Sequence, residues 1–417
     1  MMKFKRSILL SFLLLAGLLS ACGTGEANSA LQGEQNQNVS VVDSDSSGQL
    51  IPDAQLVYGP SVEEFDTLTF VEQQAGYLQG YSEEVDERIV SGAQIVAEIG
   101  LLYSVNPRLL LAVLEYESDW VSDPAPDYKG EYPINKEDTS RQGLYKQLSW
   151  TANELNRGFY THEVGALTSI SLLDGTHVGG LETLNHASTA LYYFFGLYKN
   201  AHDWELAVSP LGLYTDYVRL FGKPIQTNSA DLIPDDLQQP TLQLPFAQGE
   251  RWHFTSGPHS AWGDGAAWAA LDFSPPGEDH GCYDSDAWVR AVADGFLTYS
   301  ENGAVLQDLE GDGSLANGWA ILYMHIAADG RVESGTFVQA GDIIGHPSCE
   351  GGVSSGTHVH LARRYNGVWI SADRDQPFLL SGWSSSGGGA QYEGMLTRDA
   401  ISIEALGYVT DANEISW

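Results

Sequence analysis

The chain has 417 residues, more than one compact domain usually holds, and 43% of them are apolar, enough for two or three buried cores. Twenty basic residues face 55 acidic ones, a formal net charge of −35. Phosphate binding needs clustered Lys and Arg, so this balance argues against a nucleic-acid partner and fits a solvated surface outside the cell.

The first stretch, "MMKFKRSILLSFLLLAGLLSACGTG", opens on Lys3, Lys5 and Arg6 and continues with an apolar run from Ser7 to Ala21. That run is short for a membrane crossing, and the pattern over 1–21 predicts a secretory signal. Leu19-Ser20-Ala21-Cys22 resembles the lipobox of bacterial lipoproteins. The resemblance implies that Cys22 carries a diacylglycerol and becomes the mature first residue. The plainer alternative is an ordinary signal peptide with a coincidental cysteine. No second apolar stretch is long enough to span a bilayer, so a lipid on Cys22 is the expected membrane anchor, on the outer face of a bacterial membrane. Residues 22–55 are rich in Ser, Gly, Asn, Gln and Asp and predict a flexible tether. With Cys22 lipidated, Cys282 and Cys349 remain as an even pair in an exported chain. A disulfide is expected, with soft zinc ligands as the alternative.

Residues 56–222 predict a mainly α domain. "SEEVDERIVSGAQIVAEIGLLYSV" has apolar residues at helical spacing after an acidic start. "NPRLLLAVLEYESDW" begins with Asn106 as N-cap and Pro107 at the first helical position. "LNHASTALYYFFGLYKNA" is apolar nearly all round and predicts a buried helix. The second of these segments resembles the catalytic helix of lysozyme-like lytic transglycosylases, in which a Glu followed by Ser is the general acid. "QGLYKQLSWTANEL" resembles their adjoining turn and helix, with Gly143, Leu144, Gln147, Thr151 and Ala152 in place. The resemblance implies a lysozyme-like fold and Glu117 as candidate acid. Tyr145 stands where that family has Met, and no clear "A-Y-N-x-G" segment follows. Glu115 and Glu117 read otherwise as exposed acids on a helix, and a domain that only binds glycan is the alternative.

Gly and Pro punctuation over 223–245 predicts a linker. From 246 the texture changes to short apolar runs between Gly, Ser, Asn and Asp, which predicts an all-β, antiparallel domain over 246–383 and added strands over 384–417. Inside it lies "GTHVHLARR". On a strand, side chains two apart share a face, so His358 and His360 point to one place. Upstream, His259 precedes Asp272 by thirteen residues, and Asp272 sits in the apolar run "AALDF", where a carboxylate is costly unless paired or coordinated. His325 sits in a third apolar run, "ILYMHI". Trp262, Trp268, Tyr283 and Trp319 are candidates for cleft walls or for core. His253, His280 and His346 have no assigned role.

This ordered set resembles the LytM/lysostaphin-type zinc metallopeptidases, which cut peptide cross-links of bacterial cell walls. The spacing and the "GPHS" start are most similar to the β-lytic and LasA branch, over residues 246–375. The resemblance implies one zinc ion on His259, Asp272 and His360, with His325 and His358 assisting catalysis. It uses the ligand positions without cysteine, which favours the disulfide for Cys282 and Cys349. The resulting expectation is a multidomain, monomeric, lipid-anchored peptidoglycan endopeptidase with a helical domain that meets the glycan. The alternatives are a non-enzymatic wall-binding or hydrolase-activating lipoprotein, and a secreted zinc peptidase acting on glycine-rich proteins.

Overall fold

Seven helices, α1 (Thr67–Gln74), α2 (Gly92–Tyr103), α3 (Pro107–Ser118), α4 (Leu144–Glu163), α5 (His186–Gly196), α6 (Ala201–Ala207) and α7 (Leu213–Phe221), form the first half among the described residues. A computed structural model describes residues 38–40, 48–135, 138–224, 232–277 and 281–417. The expected signal peptide, Cys22, most of the tether and His280 lie outside these residues. α3 starts where its cap predicts: the Asn106 side chain accepts the Arg108 N–H at 2.9 Å, and Pro107 takes the first position. α5 is buried along most of its length, as its apolar surround predicts.

Two local expectations are corrected. The acidic start of "SEEVDERIV" is a β-hairpin, Ser82–Val85 against Arg88–Ser91, and α2 begins only at Gly92 behind a Ser91/Gln94 capping box. Its turn residues, Asp86 and Glu87, both have positive φ (47° and 64°), the geometry of a two-residue hairpin turn. The end of the expected tether is also not free. Leu50, Ile51 and Ala54 are buried, and Asp53 accepts the Ala187 N–H of α5 at 2.8 Å.

In the second half, nine strands make one antiparallel sheet among the described residues: β1 (Trp252–His259), β2 (Ala270–Ser274), β3 (Gly295–Glu301), β4 (Ala304–Asp308), β5 (Trp319–Met324), β6 (Thr336–Val338), β7 (Val359–Tyr365), β8 (Val368–Trp369) and β9 (Glu414–Ile415). Their order is β6-β3-β4-β5-β7-β2-β1-β9, with β8 on β7. β9 shows that the last residues complete the sheet. The other added strands, Leu379–Leu380, Trp383–Gly387, Gly394–Arg398 and Ile401–Glu404, form a small sheet of their own.

Alternation along the strands divides two cores. Val305, Ile321, Tyr323, Leu361, Leu271 and Phe273 face one core with Phe246, Trp252 and Trp383. Ala304, Leu306, Ala320, Leu322 and Ala362 face the other, and that core is shared with the helices. The sheet therefore lays much of one face on the helical half. Arg364 of β7 donates to the Leu101 carbonyl at 2.9 Å, Ser104 Oγ to the Gly367 carbonyl at 2.7 Å, and the Trp369 N–H to Tyr160 Oη at 2.9 Å. Residues 37–417 form one compact unit. The expected linker is drawn into it too, since Leu232, Leu242 and Leu244 are buried.

Candidate metal centre

His358, His360, Ala362 and Arg364 alternate onto the sheet face that carries the helices. The site opens on that side, so the helical half becomes one of its walls. β7 runs beside β2 with His360 opposite Asp272. β1 runs on the other side of β2, with Ser256 opposite Asp272 and His259 opposite Ala270, its register slipping on either side of Ser256. The slip brings His259, the last residue of β1, back over Asp272.

His259, Asp272 and His360 are all buried, and one ligand atom from each lies within 4.8 Å of the others. Each imidazole has one nitrogen on a backbone carbonyl. His259 Nδ1 donates to Gly257 O at 2.8 Å, and His360 Nε2 donates to Ala261 O at 3.0 Å. With both rings neutral, the remaining nitrogens, His259 Nε2 and His360 Nδ1, present lone pairs, and they lie 3.0 Å apart. Each is 3.2 Å from Asp272 Oδ1, a buried oxygen that no hydrogen-bond donor satisfies. Three lone-pair atoms facing one another are unfavourable unless a proton or a metal ion sits among them. Tetrahedral zinc with donors at about 2.0–2.1 Å separates those donors by about 3.3 Å. The two-nitrogen, one-oxygen set and its spacing fit that ion.

Burial opposes charge on His259, but the Asp272 carboxylate raises that ring, so a proton competes with a metal ion for the same place. Burial alone would raise the Asp272 carboxyl, but the adjacent His259 and His358 imidazoles hold it well below the usual carboxylate range. Burial pushes His360 down, which keeps its lone pair available.

His325 and His358 complete the group without joining the ligand set. Their rings are 4.4 Å apart, and His358 Nε2 lies 3.6 Å from Asp272 Oδ2. His325 Nδ1 is fixed on Glu350 O at 3.0 Å and His358 Nδ1 on Gly356 O at 2.7 Å. Both rings therefore have Nε2 free of these backbone ties. Burial, then the His358 and His360 rings, lower His325 to about 3, so it is neutral at physiological pH. Its backbone takes φ of +62°, a strained conformation for a non-glycine residue and one concentrated at functional sites.

The five residues line a cleft of about 1190 Å³. Trp262 and Tyr283 also line it, whereas Trp319 is buried in the shared core. Sequence reasoning missed two further walls. One is the face of α4 bearing Tyr145, Trp150 and Asn153. The other is Tyr392, whose ring stacks on His259 at 4.8 Å and whose carbonyl accepts the Gly257 N–H at 2.8 Å. A Cβ on Gly257 would meet the Glu393 and Gly394 backbone at 2.6 Å, so only glycine admits that hairpin. No local motif marks either wall, because both reach the site from distant sequence.

α4 also grips the loop between the first two ligands. Asn153 Oδ1 accepts the N–H groups of Asp264 and Gly265 at 3.0 Å each, and its Nδ2 donates to Asp264 Oδ1 at 2.7 Å. Arg157 pairs with the same carboxylate at 2.5 Å. At the base of this loop, Ala261 supplies the carbonyl that holds His360.

Glu117 is not brought to this cleft. Its Oε1 is taken by Lys199 Nζ at 2.9 Å and by the Tyr198 hydroxyl at 2.8 Å, with its side chain only 11% exposed. Glu115 accepts the N–H groups of Val121 and Ser122 at 2.9 and 3.1 Å and pairs with Arg219. Neither is the exposed helix acid of the plainer sequence reading. Gln147, from the same motif, braces a loop by accepting from Ile134 N and Asn135 N. His253 meets the Thr410 carbonyl, and His346 lies against Trp288 with its Nδ1 on Ala287 O. Cys282 and Cys349 are joined in a disulfide, which removes them as metal ligands.

The chain is similar to several known proteins. A family model described as LasA, N-terminal domain, matches residues 49–234. The chain is 27% identical over 344 residues to protease LasA of Pseudomonas aeruginosa (strain UCBPP-PA14), covering 76% of this chain and 74% of that protein. It is 27% identical over 175 residues to beta-lytic metalloendopeptidase of Achromobacter lyticus, covering 40% of this chain and 44% of that protein. Among solved structures, the M23 metalloprotease pseudoalterin, from the deep sea, is 26% identical, covering 40% of this chain and 96% of that one with a TM-score of 0.34. The chain is LasA-like, and the other two of these proteins are metallopeptidases.

Proposed function

We propose that this protein is a zinc endopeptidase that hydrolyses the peptide cross-links of bacterial peptidoglycan. The observation that carries the reading is the convergence of His259 Nε2, His360 Nδ1 and Asp272 Oδ1, three buried ligand atoms within 4.8 Å of one another, beside two further imidazoles in one open cleft. Zinc bound there supplies Lewis acidity, which polarises a carbonyl and acidifies water. The remaining work belongs to the chain. His325 and His358 present Nε2 atoms that take a proton from the attacking water and return it to the departing amine. Their Nδ1 ties fix ring orientation, so neither ring must reorganise during the reaction. The walls from α4, Trp262 and Tyr392 orient the substrate and screen the site from bulk water.

The helical half acts in this proposal as a wall of the cleft that meets the glycan side of the substrate. A lysozyme-like second catalytic centre at Glu117 is disfavoured, because Lys199 and Tyr198 already hold that carboxylate. The same reading anchors the protein through Cys22 on the outer face of a bacterial membrane. No helix among the described residues is long and apolar enough to cross one.

The test compares the purified protein with His360→Ala for zinc content and for release of free amines from purified cell walls. About one zinc per chain and amine release by the wild type, both lost in the variant, is the expected result. A wild type that holds no zinc and releases nothing would sink the proposal and leave a wall-binding protein.

A further inference from the structure

The five residues of the site are held in two different ways. The three metal donors belong to the sheet: His259 ends β1, Asp272 is in the middle of β2, and His360 is the second residue of β7. Cross-strand hydrogen bonds between β7 and β2 fix that geometry. The two other histidines lie just outside the strands. His325 follows the end of β5, and His358 precedes the start of β7.

Both of these rings depend on one loop, residues 349–357, "CEGGVSSGT". The loop supplies the Glu350 carbonyl to His325 Nδ1 and the Gly356 carbonyl to His358 Nδ1. Just before it, the Ser348 N–H and Oγ both donate to the His325 carbonyl, at 2.6 and 3.0 Å. These contacts hold His325 in its left-handed conformation. Yet the loop is poorly suited to rigidity. Gly351 and Gly352 have φ of +70° and +65°, Val353 is fully exposed, and Ser354, Ser355 and Gly356 are small. Such a segment loses much conformational entropy on ordering and has little apolar burial to offset it.

The loop is tied down at both ends to one short segment, residues 281–283. At its start, Cys349 is bonded to Cys282. At its end, the Thr357 N–H donates to Gly281 O at 3.0 Å, and Thr357 Oγ1 both accepts the Tyr283 N–H at 2.9 Å and donates to Tyr283 O at 2.8 Å. Between them, Ser354 Oγ donates to Gly356 O at 2.8 Å and lies 3.4 Å from both Cys349 Sγ and His358 Nδ1.

We propose that the Cys282–Cys349 bond is a positioning element for His325 and His358, and that metal binding does not depend on it. Without the bond, the sheet still assembles His259, Asp272 and His360. The loop then keeps only its Thr357 end and the ties of Glu350 to Ala328 N and Ser348 Oγ, so the carbonyls that aim the other two rings are held less firmly. Cys282, Cys349 and Thr357 are positioning residues in this scheme, acting through Glu350 and Gly356. The proposal rests on the zinc peptidase reading.

The test uses the purified protein, the double variant Cys282→Ser/Cys349→Ser, and Thr357→Val, which loosens the other end of the loop with the disulfide intact. Zinc affinity is read by competition with a chromogenic chelator. Apparent kcat and KM are read from initial amine release at increasing concentrations of purified cell walls. Misplacing a catalytic group by about 1 Å costs about 100-fold. The expected result for the double variant is therefore kcat down about 100-fold, with KM and zinc affinity each within about threefold of wild type. Thr357→Val is expected to lose about three- to tenfold in kcat with the same unchanged zinc affinity, and it decides the matter should the double variant not fold. Unchanged kcat in a variant that holds zinc overturns the proposal, and so does a loss of zinc affinity that parallels the loss of kcat. A wild type that neither binds zinc nor cleaves walls overturns the peptidase reading itself, and this inference with it.

Discussion

Replacing Asn153 by alanine tests whether the helical half supports the metal centre. The side chain makes three hydrogen bonds to the loop between His259 and Asp272: two accepted from backbone N–H groups at 3.0 Å and one donated to Asp264 Oδ1 at 2.7 Å. Each is worth about 1 kcal/mol net, and partial exposure of the tip reduces the sum, so Asn153→Ala should destabilise the protein by about 2 kcal/mol. The same loop carries Ala261, whose carbonyl fixes the tautomer of His360. Groups that orient a metal-binding imidazole typically contribute 10- to 100-fold to metal affinity. Asn153 acts one step further away, so about a tenfold weakening of zinc is expected. Urea unfolding of the metal-free protein gives the first quantity, and chelator competition gives the second. Asp264→Ala is the control. Its carboxylate is 76% exposed, and a surface pair of that kind contributes at most about 1 kcal/mol. An Asn153→Ala protein within about 0.5 kcal/mol and twofold in zinc affinity of wild type would show that the loop stands without the helices, and would refute the argument.

Two other perturbations probe the rest of the fold. Arg364 is buried beneath the helices, donates to the Leu101 and Leu315 carbonyls, and faces the rings of Tyr58 and Trp369; burial lowers it only to about 10, so it is charged at neutral pH. Arg364→Ala removes a donor from each of two carbonyls, leaves a cavity, and should cost about 3 kcal/mol in urea unfolding; a cost below about 1 kcal/mol would mean the two halves are not joined through it. His186 in α5 lies against His162, with Nδ1 atoms 2.8 Å apart, and burial pulls it down despite the opposing charge of Asp53, with His162 lowering it further. Its folded value is below its unfolded one, so the unfolded chain binds the proton first. Stability is full above about pH 6.5 and falls below it, by up to about 1.4 kcal/mol per pH unit, until the native ring is protonated. His186→Gln should therefore show a shallower loss between pH 7.5 and 5 than wild type; parallel losses would place the acid sensitivity elsewhere.

Much of the site is legible in sequence because its determinants are local. The i, i+2 spacing of His358 and His360 sets a shared strand face whatever the strand packs against. A carboxylate in "AALDF" requires a partner in any fold. The cap at Asn106 needs only its own helix. The β-hairpin at Ser82–Ser91 is not legible in the same way, since its apolar residues suit either period and two positive-φ residues in the turn decide it. Glu117 shows the opposite limit. Its local pattern matches a catalytic helix, yet its environment is set by Lys199 and Tyr198, some eighty residues away.

Sequence alone pointed to the five histidine and aspartate residues that line the cleft, the cysteine pair, and the change from helical to β texture. Only the tertiary structure decided that the two textures are one body. A strand pattern shows that both faces are apolar, but not that one of them is laid on helices. That packing puts α4 across the cleft from the histidines, brings Tyr392 onto His259, and lets a disulfide between cysteines 67 residues apart tie down the loop of residues 349–357. Each joins residues far apart in the chain, where pattern carries no information and contact is set by how the cores close.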